Sequence, residues 1–261
     1  MKWLFFHYDT FLEFYNPVRE HQFALRCMPA TNGRQRVVRA DVTIQPATEQ
    51  SLITDGFGNL TQTGFIESEH TSFHYGVTGE VFVSPDNKDK APLNPVFCYP
   101  SELTKPSSEM YEFLENLKIG ELLIYDIALK LTEEIYTYFT YVTGSTNVNT
   151  TAAEAFAAKT GVCQDYTHVF LSFARTLGIP ARYANGLLVG EGVTHAWAEV
   201  YIDGAWVGFD PTNNRAVTDD YIRFCVGRDF EDCPIERGVF LNPSTQRQTI
   251  QIRVFEGQQQ Q

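Results

Sequence analysis

Apolar and polar residues alternate with a period of two in several stretches of the first third of the chain. The clearest run covers residues 38–45, and residues 23–27 and 73–83 show the same alternation. This period is typical of β-strands that turn one face to a core and the other to water. A turn cluster, Asp55-Gly-Phe-Gly-Asn59, lies between these runs. Short strands separated by turn signals predict an antiparallel β-sandwich over residues 1–84.

Later in the chain the apolar residues recur at the three- and four-residue steps of an α-helix. One such stripe predicts a helix from Ile124 to near Gly144. The segment Thr151-Ala-Ala-Glu154 has the spacing of a capping box, which predicts the start of a short helix. A third helix is predicted from Cys163 to Leu177, where glycine and proline follow.

Two apolar runs, 194–202 and 205–210, are joined by Asp203-Gly204, a strong signal for a β-hairpin. If the loop has two residues, Ile202 pairs with Ala205. Continuing that register places His195 and Asp210 on one face of the sheet as diagonal neighbours. A loop of odd length would place them on opposite faces.

Composition and proline content divide the 261 residues further. Hydrophobic residues make up 43% of the chain, which is enough for packed domains and excludes a wholly disordered protein. Residues 85–108 are polar and rich in proline, and we interpret them as a linker. Residues 109–256 then form a second, mixed core, and residues 257–261 form a disordered tail. The predicted class is α+β.

Charge and cysteine usage exclude several kinds of partner. The net charge of −12 argues against binding to nucleic acid or to anionic membranes. The five cysteines are scattered and odd in number, so neither a disulfide framework nor a zinc-binding pair is predicted. No apolar run reaches the roughly 18 residues of a membrane helix, and the apolar start is too short for a signal peptide. We therefore expect a cytoplasmic protein without metal or other cofactor.

Cys163, His195 and Asp210 are the residues with candidate chemistry. A helix start offers Cys163 free N–H groups and a partial positive charge, which favour the nucleophilic thiolate. An imidazole can accept the thiol proton, and an aspartate on its other nitrogen can orient it. Taken singly, each residue also fits a structural role: a buried cysteine, a core histidine and a turn aspartate. Spacing alone does not bring Cys163 to the hairpin.

Three motifs in the order Cys, His and Asp resemble the transglutaminase-like core, and more narrowly the bacterial transglutaminase-like cysteine proteases. They are Gly161-Val-Cys-Gln-Asp-Tyr-Thr-His168, Thr194-His-Ala-Trp-Ala-Glu-Val200 and Trp206-Val-Gly-Phe-Asp-Pro-Thr-Asn213. The first β region is similar to the N-terminal domain of that family, and residues 226–240 are similar to its C-terminal stretch. The resemblance therefore covers nearly the whole chain.

The resemblance implies a papain-like core in which the cysteine helix packs on an antiparallel sheet that carries the other two residues. It implies Cys163 as nucleophile, His195 as general base and acid, and Asp210 as the orienting residue. Gln164 and Trp197 are further candidates for the oxyanion hole or the lining of the site, although a structural role is open for both.

The implied activity is acyl transfer on an amide bond through a thioester, and we favour hydrolysis of a peptide, isopeptide or glutamine amide. Protein-glutamine transamidation and a noncatalytic interaction protein on the same scaffold are the alternatives. The expected substrate is a protein or peptide, or else a small amide. No calcium requirement is expected, because the chain has no EF-hand loop. The oligomeric state is not predicted.

Overall fold

The computed structural model describes residues 1–84, 88–190 and 192–257. Over these ranges the chain has the predicted α+β class, with two main antiparallel sheets and helices packed on the second. The strands are β1 (Lys2–Leu25), β2 (Gln35–Gln45), β3 (Gln50–Thr54), β4 (Leu60–Ile66), β5 (His70–Val83), β6 (Thr140–Tyr141), β7 (Thr160–Gly161), β8 (Ala181–Leu188), β9 (His195–Ile202), β10 (Ala205–Asp210), β11 (Arg215–Ala216), β12 (Tyr221–Gly227), β13 (Glu236–Leu241) and β14 (Gln246–Glu256). The α-helices are α1 (Ser108–Asn116), α2 (Ile124–Tyr138), α3 (Ala152–Ala158) and α4 (Cys163–Thr176).

The predicted antiparallel β region at the start of the chain is a curled seven-stranded sheet built around β1. Its order is β2-β5-β1-β4-β3, and β13 and β14 also pair with β1. Alternate residues of β1, among them Leu4, Phe6 and Tyr8, are buried, as the period of two requires. Their neighbours Trp3 and Phe5 are also aromatic, which hides the alternation in the sequence.

The last two strands belong to this N-terminal sheet, whereas the sequence placed residues 109–256 together in the second core. β14 pairs with β1 from Leu4↔Glu256 to Phe14↔Gln246, and β13 pairs with the far end of β1. The assignment of this segment is therefore corrected by the strand pairing. Local patterns could not show it, because strand partners far apart in the chain leave no mark on either segment alone.

The predicted linker packs against the second core. Asp89 forms a β-bridge with Trp206, and the Trp206 indole N–H donates to the Ala91 carbonyl at 3.1 Å. Short 3₁₀ helices follow at Pro95–Cys98 and Glu102–Thr104, and both contain buried residues. Residues 85–87 and residues 258–261 of the predicted tail lie outside the described residues, whereas the Gly257 N–H donates to the Trp3 carbonyl at 2.7 Å.

The helices follow the sequence signals with one correction. The Thr151 hydroxyl accepts the Glu154 N–H at 3.2 Å, and the Glu154 carboxylate accepts the Thr151 N–H at 2.8 Å, so the predicted capping box opens α3. The prediction that α2 continues to near Gly144 is wrong, because α2 ends at Tyr138. The chain then becomes extended, since β6 pairs in parallel with β7.

The second sheet carries the hairpin and has the strand order β11-β10-β9-β8-β12. Asp203 and Gly204 both have positive φ, at 50° and 79°, as a tight two-residue turn requires. Ile202 pairs with Ala205, which confirms the predicted register. Helix α4, which begins with Cys163, packs on β8 and β9 of the sheet that holds the hairpin. No helix within the described ranges is long and apolar enough to cross a membrane.

Candidate active site

Cys163 is the first residue of α4, and the turn before it is fixed by Asp165. The Asp165 carboxylate accepts the Val162 backbone N–H at 2.8 Å and the Thr146 hydroxyl at 2.7 Å. Gly161 passes so close that a Cβ there would lie 2.5 Å from the Asp165 Cβ. As the first helical residue, Cys163 has a backbone N–H without a partner inside the helix. The half-buried thiol therefore lies beside a fixed hydrogen-bond donor.

The hairpin brings His195 and Asp210 into direct contact. His195 Nε2 and Asp210 Oδ2 are 2.7 Å apart, and both side chains are buried. The predicted two-residue loop produces this contact, because it keeps both residues on one face of the sheet. With Nε2 on the aspartate, Nδ1 is the ring nitrogen that remains for Cys163.

Three residues that the sequence analysis did not single out complete the surroundings of Asp210. The Tyr221 hydroxyl and the Asn213 side-chain amide each donate to Asp210 Oδ2 at 2.7 Å. The backbone N–H groups of Thr212 and Asn213 donate to Oδ1 at 3.0 and 3.2 Å. The Asp-Pro-Thr-Asn sequence is an Asx-type turn and could have indicated the last three donors. Tyr221 comes from β12 and has no local signal.

Electrostatics favour a charged His195 next to a charged Asp210. Burial disfavours the imidazolium, but interactions with Asp210 and Cys163 outweigh it and raise the pKa of His195 to about 10. Burial also opposes ionisation of Asp210, yet the donors His195, Asn213 and Tyr221 lower the pKa of its carboxyl. Cys163 therefore lies beside a histidine that carries its proton at neutral pH.

The structure places the two further candidates in different surroundings. The Gln164 side-chain N–H donates to the Val148 carbonyl at 3.2 Å, which ties the loop before α3 to the start of α4. A role for Gln164 in the oxyanion hole stays a prediction. Trp197 is 1% exposed, and its ring lies nearly parallel to His195 at a centroid distance of 6.4 Å. It therefore packs beside the imidazole within the fold, and it also lines a small cavity with Glu199 and Tyr221.

His168 packs inside the fold. It is fully buried, and its Nε2 accepts the Phe230 backbone N–H at 3.2 Å. Burial lowers its pKa to about 3, with a further contribution from Arg175, so it is neutral at physiological pH. Among the described residues, no group of three His, Cys, Asp or Glu side chains is arranged to hold a metal ion.

An α+β protein with a cysteine at a helix start and a histidine–aspartate pair on the adjoining sheet falls in the class of papain-like folds. Comparison with known proteins narrows this class. Residues 115–211 match the model of the transglutaminase-like superfamily, and residues 5–82 match the bacterial transglutaminase-like N-terminal region. The chain belongs to the transglutaminase-like superfamily and carries the N-terminal region of its bacterial members.

Similar proteins share both parts of the chain. Uncharacterized proteins of Mycobacterium tuberculosis and Mycobacterium bovis are 30% identical over 270 residues, covering 88% of this chain and 85% of theirs. The crystal structure of a proposed cysteine protease from Cytophaga hutchinsonii has a TM-score of 0.79 and 21% identity. It aligns with 98% of this chain and 90% of its own. At that identity the likeness shows the fold, including the arrangement of both sheets.

Proposed function

We propose that the protein is a cysteine-dependent amide hydrolase in which Cys163, His195 and Asp210 form a catalytic triad. The observation that carries the proposal is the placement of His195, which lies between Asp210 at 2.7 Å and the thiol of Cys163. A thiolate beside an imidazolium is an activated nucleophile, and a buried aspartate holds the imidazolium in place.

The proposed reaction has two halves. The Cys163 sulfur attacks the amide carbonyl carbon, and the oxyanion that forms is stabilised by the Cys163 backbone N–H. His195 gives its proton to the leaving nitrogen, the C–N bond breaks, and a thioester and a free amine result. A water molecule then attacks the thioester while His195 takes one of its protons. The C–S bond breaks, which releases the carboxylic acid and returns the thiolate and imidazolium.

We place water rather than an amine as the second reactant, because water is far more concentrated than any cellular amine. The substrate that we propose is a protein or peptide. Transamidation uses the same thioester and differs only in the acceptor, so the products decide between the two reactions.

The first prediction concerns the reactivity of the thiol. Cys163 should react with iodoacetamide at pH 7 about tenfold faster than Cys98, which is also half-buried but interacts with Arg175 rather than with a histidine–aspartate pair. Peptide mass mapping of the wild type, Cys163→Ala and Cys98→Ala variants measures both rates. Equal rates at the two cysteines would remove the basis for an activated nucleophile.

The same variants test the reaction. A mixture of peptides from a digested proteome is incubated in H₂¹⁸O with a fluorescent primary amine. Hydrolysis predicts new carboxyl ends that carry ¹⁸O with the wild type and with Cys98→Ala, but not with Cys163→Ala. Incorporation of the amine into glutamine side chains would instead establish transamidation. If neither product forms although Cys163 is reactive, the result favours the noncatalytic alternative.

A further inference from the structure

A cavity of about 420 Å³ lies between the inner face of the N-terminal sheet and the second core. It begins next to the candidate active site, because Thr194 precedes His195 and Val148 holds the side chain of Gln164. Its far wall is formed by β13, β14 and the inner face of the sheet around Tyr8 and Tyr75. A substrate chain that reaches Cys163 from this side would therefore lie along the cavity.

Glu236 of β13 is a carboxylate in this cavity that has no cationic partner among the described residues. The Tyr75 hydroxyl donates to its Oε2 at 3.4 Å, which shows that the side chain turns toward the inner face of the sheet. Among the described residues it forms no ion pair with a lysine, arginine or histidine. Glu236 is half-buried, so solvent still reaches it. A carboxylate that is partly removed from water and unpaired is a site for a cation.

The other polar groups of the cavity leave that position open. Arg237 is adjacent in sequence, but its guanidinium donates to the Glu231 carbonyl at 3.1 Å. The Asn185 amide donates to the Cys233 carbonyl at 3.2 Å. The remaining cavity wall combines apolar side chains with neutral glutamines, as at Phe230 and Gln248. An extended peptide with one basic side chain is complementary to this surface. Its neutral residues can pack against the wall, and its cationic group can pair with the Glu236 carboxylate.

Resting on the function proposed above, we propose that this cavity is the acyl-donor groove and that Glu236 selects peptides with a lysine or arginine near the bond to be cleaved. An extended peptide advances about 3.3 Å per residue, so the selected side chain has a fixed position within a few residues of that bond. The net charge of −12 also attracts cationic peptides, so it acts in the same direction as Glu236.

The titration of Glu236 gives the selection a pH dependence. Burial raises the pKa of Glu236 to about 7, and the Tyr75 hydrogen bond acts in the opposite direction. The two tyrosines and the histidine that face it remain neutral in this range. Burial raises the pKa of Tyr8 to about 12 and that of Tyr75 well above its usual value, and it lowers the pKa of His21 to about 4. Peptides with a cationic side chain should therefore be preferred at pH 8, and this preference should be lost at pH 6.

The experiment uses the full chain and two peptide mixtures made from one proteome digest in which the arginines are blocked with a dione reagent, one with free lysines and one with acetylated lysines. The wild type should enrich lysine at one position of the cleaved sites and should cleave the free-lysine mixture about tenfold faster at pH 8. Glu236→Gln keeps the hydrogen bond from Tyr75 but removes the charge, so it should lower this ratio to near one. Glu13→Gln removes a charge from the exposed face of β1 and should keep the ratio of the wild type.

The outcomes separate this proposal from the one on which it rests. Cleavage that depends on Cys163 but shows no preference for lysine, or a preference that survives Glu236→Gln, would overturn the selection by Glu236 alone. A failure to cleave either mixture, together with an unreactive Cys163, would overturn the proposed hydrolase. Loss of folding in Glu236→Gln is checked by circular dichroism, and Glu236→Asp then serves as the charged comparison that should retain part of the ratio.

Discussion

At the scale of the residue, the site depends on one hydrogen-bonded chain of side chains. Arg215 donates to the Tyr221 hydroxyl at 2.9 Å, and Tyr221 donates to Asp210, which holds His195. The raised pKa of His195 means that protonation stabilises the folded state. This contribution is complete below the unfolded value near 6.5 and is lost as the pH rises through about 10. The activity should also fall at alkaline pH as His195 loses this proton.

The alkaline limb of the pH–rate profile tests this chain. With the wild type, kcat/KM should fall only as the pH approaches about 10, where His195 loses its proton. Asp210→Asn removes the charge that retains the proton, so the limb should move toward neutral pH and the rate should fall by about 10²–10⁴. Asp126→Asn changes an exposed residue of α2 and should leave the alkaline limb and the rate unchanged. If the alkaline limb of Asp210→Asn lies at the same pH as that of the wild type, Asp210 does not set the titration of His195.

At the scale of the element, the two-residue turn between β9 and β10 sets the geometry of the site. Its register decides which side chains share a face, and a shift of one residue would separate His195 from Asp210. Gly204 has a φ of 79°, a conformation that costs a residue with a Cβ about 1 kcal/mol. A short turn therefore links backbone conformation directly to the contact between two functional side chains.

Gly204→Ala should destabilise the protein by about 1 kcal/mol and lower its melting temperature by about 2–4 °C. Gly56→Ala is the matched change, because Gly56 lies in a turn with open space around it and without positive φ. It should have little effect on thermal unfolding measured by circular dichroism. Equal losses in the two variants would mean that the turn conformation contributes nothing particular to stability.

The hairpin also shows how far the sequence can predict this molecule. Its turn, its register and the shared face of His195 and Asp210 follow from a local pattern, and the structure confirms them. The capping box of α3 is equally local. The contact from Tyr221 to Asp210 depends on the order of strands in the sheet, which no local pattern contains. The early end of α2 likewise depends on the pairing of β6 with β7.

At the scale of the whole molecule, a buried cluster of four charges joins the linker to the second sheet. Arg182 and Arg223 each contact both Asp89 and Glu199 at 2.6–2.8 Å. Burial opposes ionisation of Asp89, but Arg223 and Arg182 lower its pKa to about 2. The stability that this depressed pKa contributes is present above the unfolded value of 3.8 and is lost as the pH falls through about 2.

Removing one member of this cluster should cost far more than removing an exposed ion pair. Arg223→Met leaves two buried carboxylates with one arginine and should lower the free energy of unfolding by about 3–5 kcal/mol. Arg228→Met breaks the pair with Asp232, in which Arg228 is 40% exposed, and should cost about 0–1 kcal/mol. Urea denaturation of both variants measures the difference. Similar losses would mean that the cluster is not a major source of stability.

The predicted cytoplasmic location stays a prediction.

The pairing of β14 with β1 has a consequence for the order in which the chain can fold during its synthesis. β1 leaves the ribosome before its eleven partners from Gln246 to Glu256, which follow only after the second core has been made. Until then β1 has an open edge, and such edges are prone to intermolecular pairing. A fragment cut after residue 84 would keep that edge permanently. The N-terminal sheet and the second core are therefore expected to be produced and purified together, as one continuous polypeptide.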